Sequence, residues 1–143
     1  MQKFFIPLLL APFTQGLAVP VEERQLGSWK IDSLLRGNVK WNQNLIDMYM
    51  TIQDGSAHGV YCELIARAPP NTDLTTWSFS NFNCVDNNWS ISWGYQSGGN
   101  DAAVMTVVSP DKKKMAFFGF DHVNSQVPAD HLGNAGPSPV QAV

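Results

Sequence analysis

The side chains that could carry out chemistry are few and far apart along the chain. The three histidines, His58, His122 and His131, never lie within four positions of one another, so none has the spacing that metal ligands take on one rigid element. We therefore expect solvated surface histidines, no metal site and no cofactor. A serine hydrolase needs a nucleophile, a base and an orienting acid. The chain lacks the glycine–any–serine–any–glycine sequence of a nucleophile elbow, which gives no support to that class of enzyme.

Two carboxylates, Asp47 and Glu63, are the best catalytic candidates in the chain. A pair of carboxyl groups about 5–10 Å apart can hydrolyse glycosides, and these two could approach each other across a predicted hairpin. However, twelve acidic residues on a small sheet also produce such neighbours by chance. We therefore expect a protein that is not an enzyme, and a small cell-wall hydrolase that uses this pair is the alternative.

Aromatic residues alternate with small residues at Trp89, Trp93 and Tyr95. Such a row could form a flat platform for sugar rings, as in a secreted carbohydrate-binding module. The other interpretation is that the aromatic face is the core and that the serines and glycine point outward. Burying one such ring contributes roughly 2–3 kcal/mol, and a domain of this size needs that stabilisation. We therefore favour the core, and the carbohydrate-binding module is a second alternative.

The amino terminus has the three parts of a secretory signal. Lys3 precedes an apolar run from Phe4 to Leu10, and a small-residue site ends at Ala18. The run is well short of the ~20 residues that a membrane-spanning helix needs, and no second hydrophobic stretch follows. We predict a signal peptide at 1–18, cleavage after Ala18, and a secreted, extracellular product that is not held in a membrane.

The mature chain is mildly acidic. Removal of Lys3 leaves eight of the nine basic residues against twelve acidic ones, which gives no support for nucleic-acid binding because that normally needs a basic face. The basic run 112–114 follows a serine, a proline and an aspartate. We predict that it forms the solvated tip of a hairpin.

Two cysteines remain after export, Cys62 and Cys84. An isolated pair in an exported protein predicts a disulfide, and closing a loop of this length is worth about 3 kcal/mol. Two buried free thiols are the alternative. Asn88 begins the single N-glycosylation sequon of the chain, so it is a candidate glycan acceptor.

The dominant pattern from Gly27 onward is the alternation of apolar and polar residues, which is typical of strands with one buried face. In the first strand we expect Trp29, Ile31 and Ser33 to share one side. No stretch has the apolar spacing of a helix over three turns. The pattern predicts a single all-β domain, an antiparallel β-sandwich or β-barrel, with seven strands at 29–33, 46–52, 60–64, 77–79, 89–95, 102–108 and 115–120.

The ends of the chain differ from this central part. Residues 19–27 predict a flexible leader, and the β domain is expected to extend over 28–123. Residues 124–143 contain three prolines and two glycines and little that could be buried. We therefore expect a disordered or loosely packed Pro/Gly-rich tail.

Four segments, 19–25, 29–31, 60–62 and 77–93, together resemble the AA1-like family, the family of the major Alternaria allergen. The resemblance implies a small secreted fungal protein with a β-barrel or β-sandwich fold and with no established catalytic centre. Members include allergens and elicitors that provoke plant defence. Members commonly carry further cysteines, one of which can join subunits. Since this chain has only Cys62 and Cys84, a disulfide-linked dimer is not supported.

The resemblance, together with the predicted signal and the lack of a catalytic constellation, implies a secreted effector or elicitor that is not catalytic. Its partner would be a host plant protein, another extracellular protein or a cell-wall component, and the sequence does not identify it.

Overall fold

The computed structural model describes residues 26–37, 44–125 and 131–143. The predicted signal 1–18, and the predicted leader up to residue 25, lie outside the described residues. In the described part the chain forms nine strands and no helix. The strands are β1 (Ser28–Gly37), β2 (Leu45–Gln53), β3 (Val60–Arg67), β4 (Phe79–Asn83), β5 (Ser90–Gln96), β6 (Ala102–Val108), β7 (Lys114–Phe120), β8 (His131–Pro139) and β9 (Gln141–Ala142).

Two antiparallel sheets pack face to face. The first has the strand order β3-β2-β1-β8 and the second has the order β4-β5-β6-β7-β9. Their inner faces form one core, and alternation along each strand supplies it: in β2, the residues Ile46, Met48, Met50 and Ile52 are at most 2% exposed. The prediction of an all-β sandwich is confirmed. No helix in the described residues is long and apolar enough to cross a membrane.

A bulge in β1 reverses the two faces of that strand. Ser33 has a positive φ of 54°, and the register against β2 shifts between positions 32 and 35. Ile31 points into the core before the bulge, whereas Leu34 and Arg36 point into it afterwards. The prediction that Ser33 shares the inward side is therefore wrong; its side chain is exposed because the bulge turns it out.

The chain end closes one side of the sandwich. β8 pairs with β1, and β9 pairs with β7 in the other sheet. Between them Val140 is 4% exposed, and its N–H donates to Gly27 O at 3.0 Å. Two successive strands therefore belong to opposite sheets and join them.

The expectation of a disordered or loosely packed tail at 124–143 is wrong for its last part, because His131–Pro139 is a strand; residues 126–130 lie outside the described residues. Its composition suits an irregular edge strand: Pro137 and Pro139 lack an N–H, which an edge strand can spare. Gly136 has a φ of 97°, and a Cβ there would lie 3.0 Å from Trp29 O, so the close approach of β1 requires glycine.

The fourth strand lies later in the chain than predicted. Trp77 precedes β4, where its ring packs 5.2 Å from Phe79 and 6.4 Å from Phe82. Phe82, which lies beyond the predicted strand 77–79, pairs with Ile91 of β5. Packing among these aromatic rings, rather than an alternation of apolar and polar residues, determines where this strand lies.

Candidate functional site

The disulfide joins the two sheets at the side opposite β8. Cys62 in β3 and Cys84 just after β4 are at most 2% exposed, and their Cα atoms lie 5.1 Å apart. The turn that follows Cys84 also lies along β3: Val85 N donates to Glu63 O at 2.7 Å, and Asn87 Nδ2 donates to Tyr61 O at 3.1 Å. The predicted disulfide is confirmed, and it closes the second side of the sandwich.

The aromatic row 89–95 belongs mainly to the core. Trp93 is 1% exposed and packs 5.9 Å from Phe120, and Trp89 is 7% exposed. Tyr95 is half-buried, and its hydroxyl donates to Asp101 Oδ1 at 3.1 Å. The interpretation as core is confirmed for the two tryptophans. The alternative of an exposed tryptophan platform is wrong, because this face of β5 points towards the other sheet.

The histidines lie apart on the surface. His58 is exposed in the turn between β2 and β3, His122 is exposed after β7, and His131 is the exposed first residue of β8. Among the described residues no three His, Cys, Asp or Glu side chains could hold a metal ion together. The structure thus confirms surface histidines, and the absence of a cofactor stays a prediction.

Asp47 and Glu63 occupy neighbouring strands but are not directly opposite. Asp47 faces Ile65 across the β2–β3 pair, and Glu63 faces Tyr49, so the two carboxylates are diagonal neighbours. Both are half-buried on the outer face of the first sheet.

These side chains belong to a larger surface, which we call the tyrosine face. It consists of three cross-strand rows on β1, β2 and β3. The rows are Asp32, Thr51 and Tyr61; Leu35, Tyr49 and Glu63; and Gly37, Asp47 and Ile65. Tyr61 is 59% exposed and Ile65 is 44% exposed. Burial raises the pKa of the central Tyr49, and the charges of Asp47 and Glu63 raise it further.

Arg36 forms a buried polar cluster at one end of the sandwich. Its side chain is 3% exposed, and its two terminal nitrogens donate to Leu74 O at 3.0 Å, Val123 O at 3.3 Å, Thr75 O at 3.3 Å and Asn124 Oδ1 at 3.2 Å. The guanidinium carbon lies 5.1 Å from the centre of the Trp93 ring. Burial lowers the pKa of Arg36 from 12.5 to about 10, although Asp101 and Tyr95 act in the opposite direction.

Asp101 anchors the segment that follows β7. Its two carboxylate oxygens accept hydrogen bonds from Asn124 N at 2.7 Å and from Asn124 Nδ2 at 2.6 Å. Burial by itself raises the pKa of Asp101, but hydrogen bonds from Asn124, Tyr95 and Ser125 outweigh burial and hold that pKa below its ordinary value. Arg36 and Asp101 therefore tie the loops at this end to the core.

A cleft of about 310 Å³ lies at the tip of the β6–β7 hairpin. We call it the tryptophan cleft, and it is lined by Trp29, Asp54, Trp89, Ser109, Pro110, Asp111 and Lys114. The two indole rings meet edge-on with their centres 5.0 Å apart, and they are at most 7% exposed, so they contribute little exposed surface to the cleft. A hydrogen bond from Ser56 Oγ lowers the pKa of Asp54, and one from Ser109 Oγ lowers the pKa of Asp111. Both carboxylates are thus ionised at neutral pH.

The basic run forms the tip of this hairpin, as predicted. Lys112 has a positive φ of 61°, and its ammonium donates to Asn88 O at 3.0 Å. Asn88 is exposed, whereas Ser90 of the same sequon is 5% exposed in β5. Glycosylation at Asn88 stays a prediction.

Sequence reasoning did not identify Arg36 or the tyrosine face. An arginine in an alternating strand is ordinarily read as a solvated residue, and only the bulge at Ser33 turns Arg36 inward. The alternation of residue types in β2 is by itself sufficient to place Asp47 and Tyr49 on one face. However, the rows that they complete depend on the register of three strands.

Comparison with known families adds to this geometry. The family model for Effector TSP1 matches residues 30–141, a range that begins in β1 and ends in β9 and therefore includes both sheets. No curated protein matches the chain. Because the match extends over most of the sequence, the chain belongs to the Effector TSP1 family.

Proposed function

We propose that this protein is a secreted fungal effector of the AA1-like kind, which acts by binding a host plant or other extracellular partner rather than by catalysis. The family match over residues 30–141 carries the proposal, since that family is one of effectors. The export signal at 1–18 and the disulfide between Cys62 and Cys84 support secretion, because disulfides persist in oxidising compartments.

The position of the candidate carboxylates supports binding over catalysis. Asp47 and Glu63 lie on the outer face of a sheet, beside Tyr49. A catalytic acid works in a site that excludes water, whereas a sheet face is suited to contact with another surface. The sandwich, closed at both sides, is a rigid support for such a face.

Infiltration of the purified, oxidised protein into leaves of several plant species tests this function. We expect a local defence response, measured as defence-gene transcripts and cell death, at protein doses where a boiled and reduced sample is inactive. The Asp47→Asn and Glu63→Gln double variant tests the hydrolase alternative, since release of sugars that this variant abolishes would indicate an enzyme. No response in any host would contradict effector function.

A carbohydrate-binding module is the second candidate, and the tryptophan cleft favours it. Two nearly buried indoles, two carboxylates and a lysine line a cleft of about 310 Å³, and they provide the apolar and hydrogen-bonding groups that small-molecule sites combine. Pull-down on chitin, cellulose and β-glucan tests this candidate. Retention that Asp111→Asn weakens and Asp121→Asn does not would support it, and absence of retention on all three polymers would remove it.

A further inference from the structure

The tyrosine face has a regular arrangement of charge and aromatic surface. Each of its three rows contains one carboxylate: Asp32 in the first, Glu63 in the second and Asp47 in the third. Along β2 and β3, whose register is unbroken, successive rows are about 6.8 Å apart. The nine positions contain no lysine or arginine; Lys30 and Arg67 stand in the next rows at opposite ends.

Aromatic and aliphatic surface lies between these carboxylates. Tyr61 and Ile65 are the most exposed side chains of the face, at 59% and 44%, and Tyr49 lies diagonal to both. Tyrosine rings bind cations through their faces, and arginine is the cation that stacks on them best. An exposed tyrosine beside a carboxylate therefore offers a guanidinium both an ion pair and a stacking surface.

We propose that the tyrosine face binds an extended, basic protein segment with arginines at alternate positions. Alternate side chains on one side of an extended chain are also about 6.8 Å apart, so successive arginines match successive rows. This inference rests on the proposed function. It names the surface through which the effector would act and the chemistry of the partner that it would bind.

Charge selects this occupant over a second copy of the chain. A symmetric dimer through the tyrosine face would bring Asp32, Asp47 and Glu63 against the same three carboxylates, which repel one another. The outer face of the second sheet differs: Val104 and Phe117 are 37% and 41% exposed there, and the neighbouring positions on β5 are Ser92 and Gly94. That uncharged face provides a matched control.

Fluorescence anisotropy with short labelled peptides tests the inference on the oxidised, full mature chain. The probe alternates arginine and serine over six residues. Two comparison peptides are used. The block peptide has three consecutive arginines followed by three serines, and the glutamate peptide is the alternating probe with glutamate in place of each arginine. We expect saturable binding of the alternating peptide, weaker binding of the block peptide and no binding of the glutamate peptide. We also expect weaker binding at 300 mM than at 50 mM salt, since ion pairs on a surface are screened (about 10 Å Debye length at 0.1 M).

Matched variants locate the binding. Tyr61→Ala and Glu63→Gln should each weaken binding of the alternating peptide about threefold to fivefold. Phe117→Ala removes an exposed aromatic ring and Asp121→Asn neutralises a carboxylate on other parts of the surface, and both should leave the affinity unchanged. Circular dichroism establishes that all four variants are folded.

Three results would overturn the inference. The first is equal affinity of wild type, Tyr61→Ala and Glu63→Gln for the alternating peptide. The second is equal weakening by Glu63→Gln and Asp121→Asn, which would indicate unspecific attraction to an acidic protein. The third is sedimentation of the wild type as a dimer that Tyr61→Ala dissociates, which would make this face a self-interface.

Leaf assays separate failure of this inference from failure of the proposed function. If wild type provokes a response and the Tyr61→Ala and Glu63→Gln double variant provokes the same response, the surface is wrong and effector function stands. If the peptide results hold and wild type provokes no response, effector function fails and the binding surface stands.

Discussion

Arg36→Met is the substitution that most sharply tests what stabilises the end of the sandwich at which Arg36 is buried. The guanidinium donates to four oxygen atoms in two separate loops and stacks on Trp93. Methionine keeps most of the apolar volume of the side chain, so the change removes the charge and its hydrogen bonds while leaving the packing nearly intact.

The expected magnitude is the difference of two opposing effects. Burial lowers the pKa of Arg36 from 12.5 to about 10, which corresponds to roughly 3 kcal/mol of cost for keeping the charge, at 1.36 kcal/mol for each pKa unit. Removing the charge recovers that cost. Against it, the buried acceptors Leu74 O and Val123 O lose their donors, at about 2 kcal/mol each. Loss of the contact with Trp93 adds about 1–2 kcal/mol. We therefore expect Arg36→Met to destabilise the fold by about 2 kcal/mol.

Urea titration followed by tryptophan fluorescence measures this difference. The control is Lys30→Met, which removes an exposed positive charge from the same strand and should change the free energy of unfolding by less than about 0.5 kcal/mol. The N–H of Asn124 donates a hydrogen bond to Asp101. Its hydrogen exchange should be faster in Arg36→Met than in wild type, and unchanged in Lys30→Met. If Arg36→Met is as stable as wild type or more stable, the cost of burial exceeds the value of the hydrogen bonds and the reasoning is refuted.

Three further predictions concern the disulfide, acid stability and the secreted product. Replacing Cys62 and Cys84 by serine should lower the free energy of unfolding by about 3.4 kcal/mol, the chain-entropy value for a loop whose ends are 22 residues apart; a loss below 1 kcal/mol in urea would contradict this. Since hydrogen bonds hold the pKa of Asp101 below 3.8, its stabilisation is complete above pH 3.8 and is lost as the pH falls through its pKa in the folded protein. The urea concentration at the midpoint of unfolding should therefore fall as the pH drops below 3.8, and less steeply in Asp101→Asn than in wild type; parallel profiles would count against this. Intact-mass measurement of the secreted product should show a chain that begins after Ala18 and gains two hydrogens on reduction. A hexose-containing mass increase that Asn88→Gln removes would establish the glycan, and a chain that retains residues 1–18 would contradict the signal.

Strands whose alternation is regular could be predicted from the sequence, and those shaped by edges or bulges could not. In β2 the apolar positions from Ile46 to Ile52 have period two and all point inward, so pattern and structure agree. The strand His131–Pro139 has no such pattern. Its glycines and prolines, which are typical of disorder, suit an irregular strand that has a partner on one side only.

The candidate surfaces were predictable only in part, because they depend on contacts distant in sequence. Alternation places Asp47 and Tyr49 on one face of β2, but their neighbours from β1 are set by a bulge at Ser33. Nothing local in the sequence reveals that a serine takes a positive φ or that Arg36 then points inward. The disulfide was predictable because the chain offers a single cysteine pair and a predicted export signal.

Leaf infiltration of wild-type protein beside two double variants tests the central claim most directly, namely that this family member is an effector that acts by binding a basic partner. We predict a defence response to wild type and to the Phe117→Ala and Asp121→Asn double variant. We predict a response reduced at least several-fold with the Tyr61→Ala and Glu63→Gln double variant. The same response to all three proteins would contradict the tyrosine face as the binding surface, and no response to any of them would contradict effector function itself.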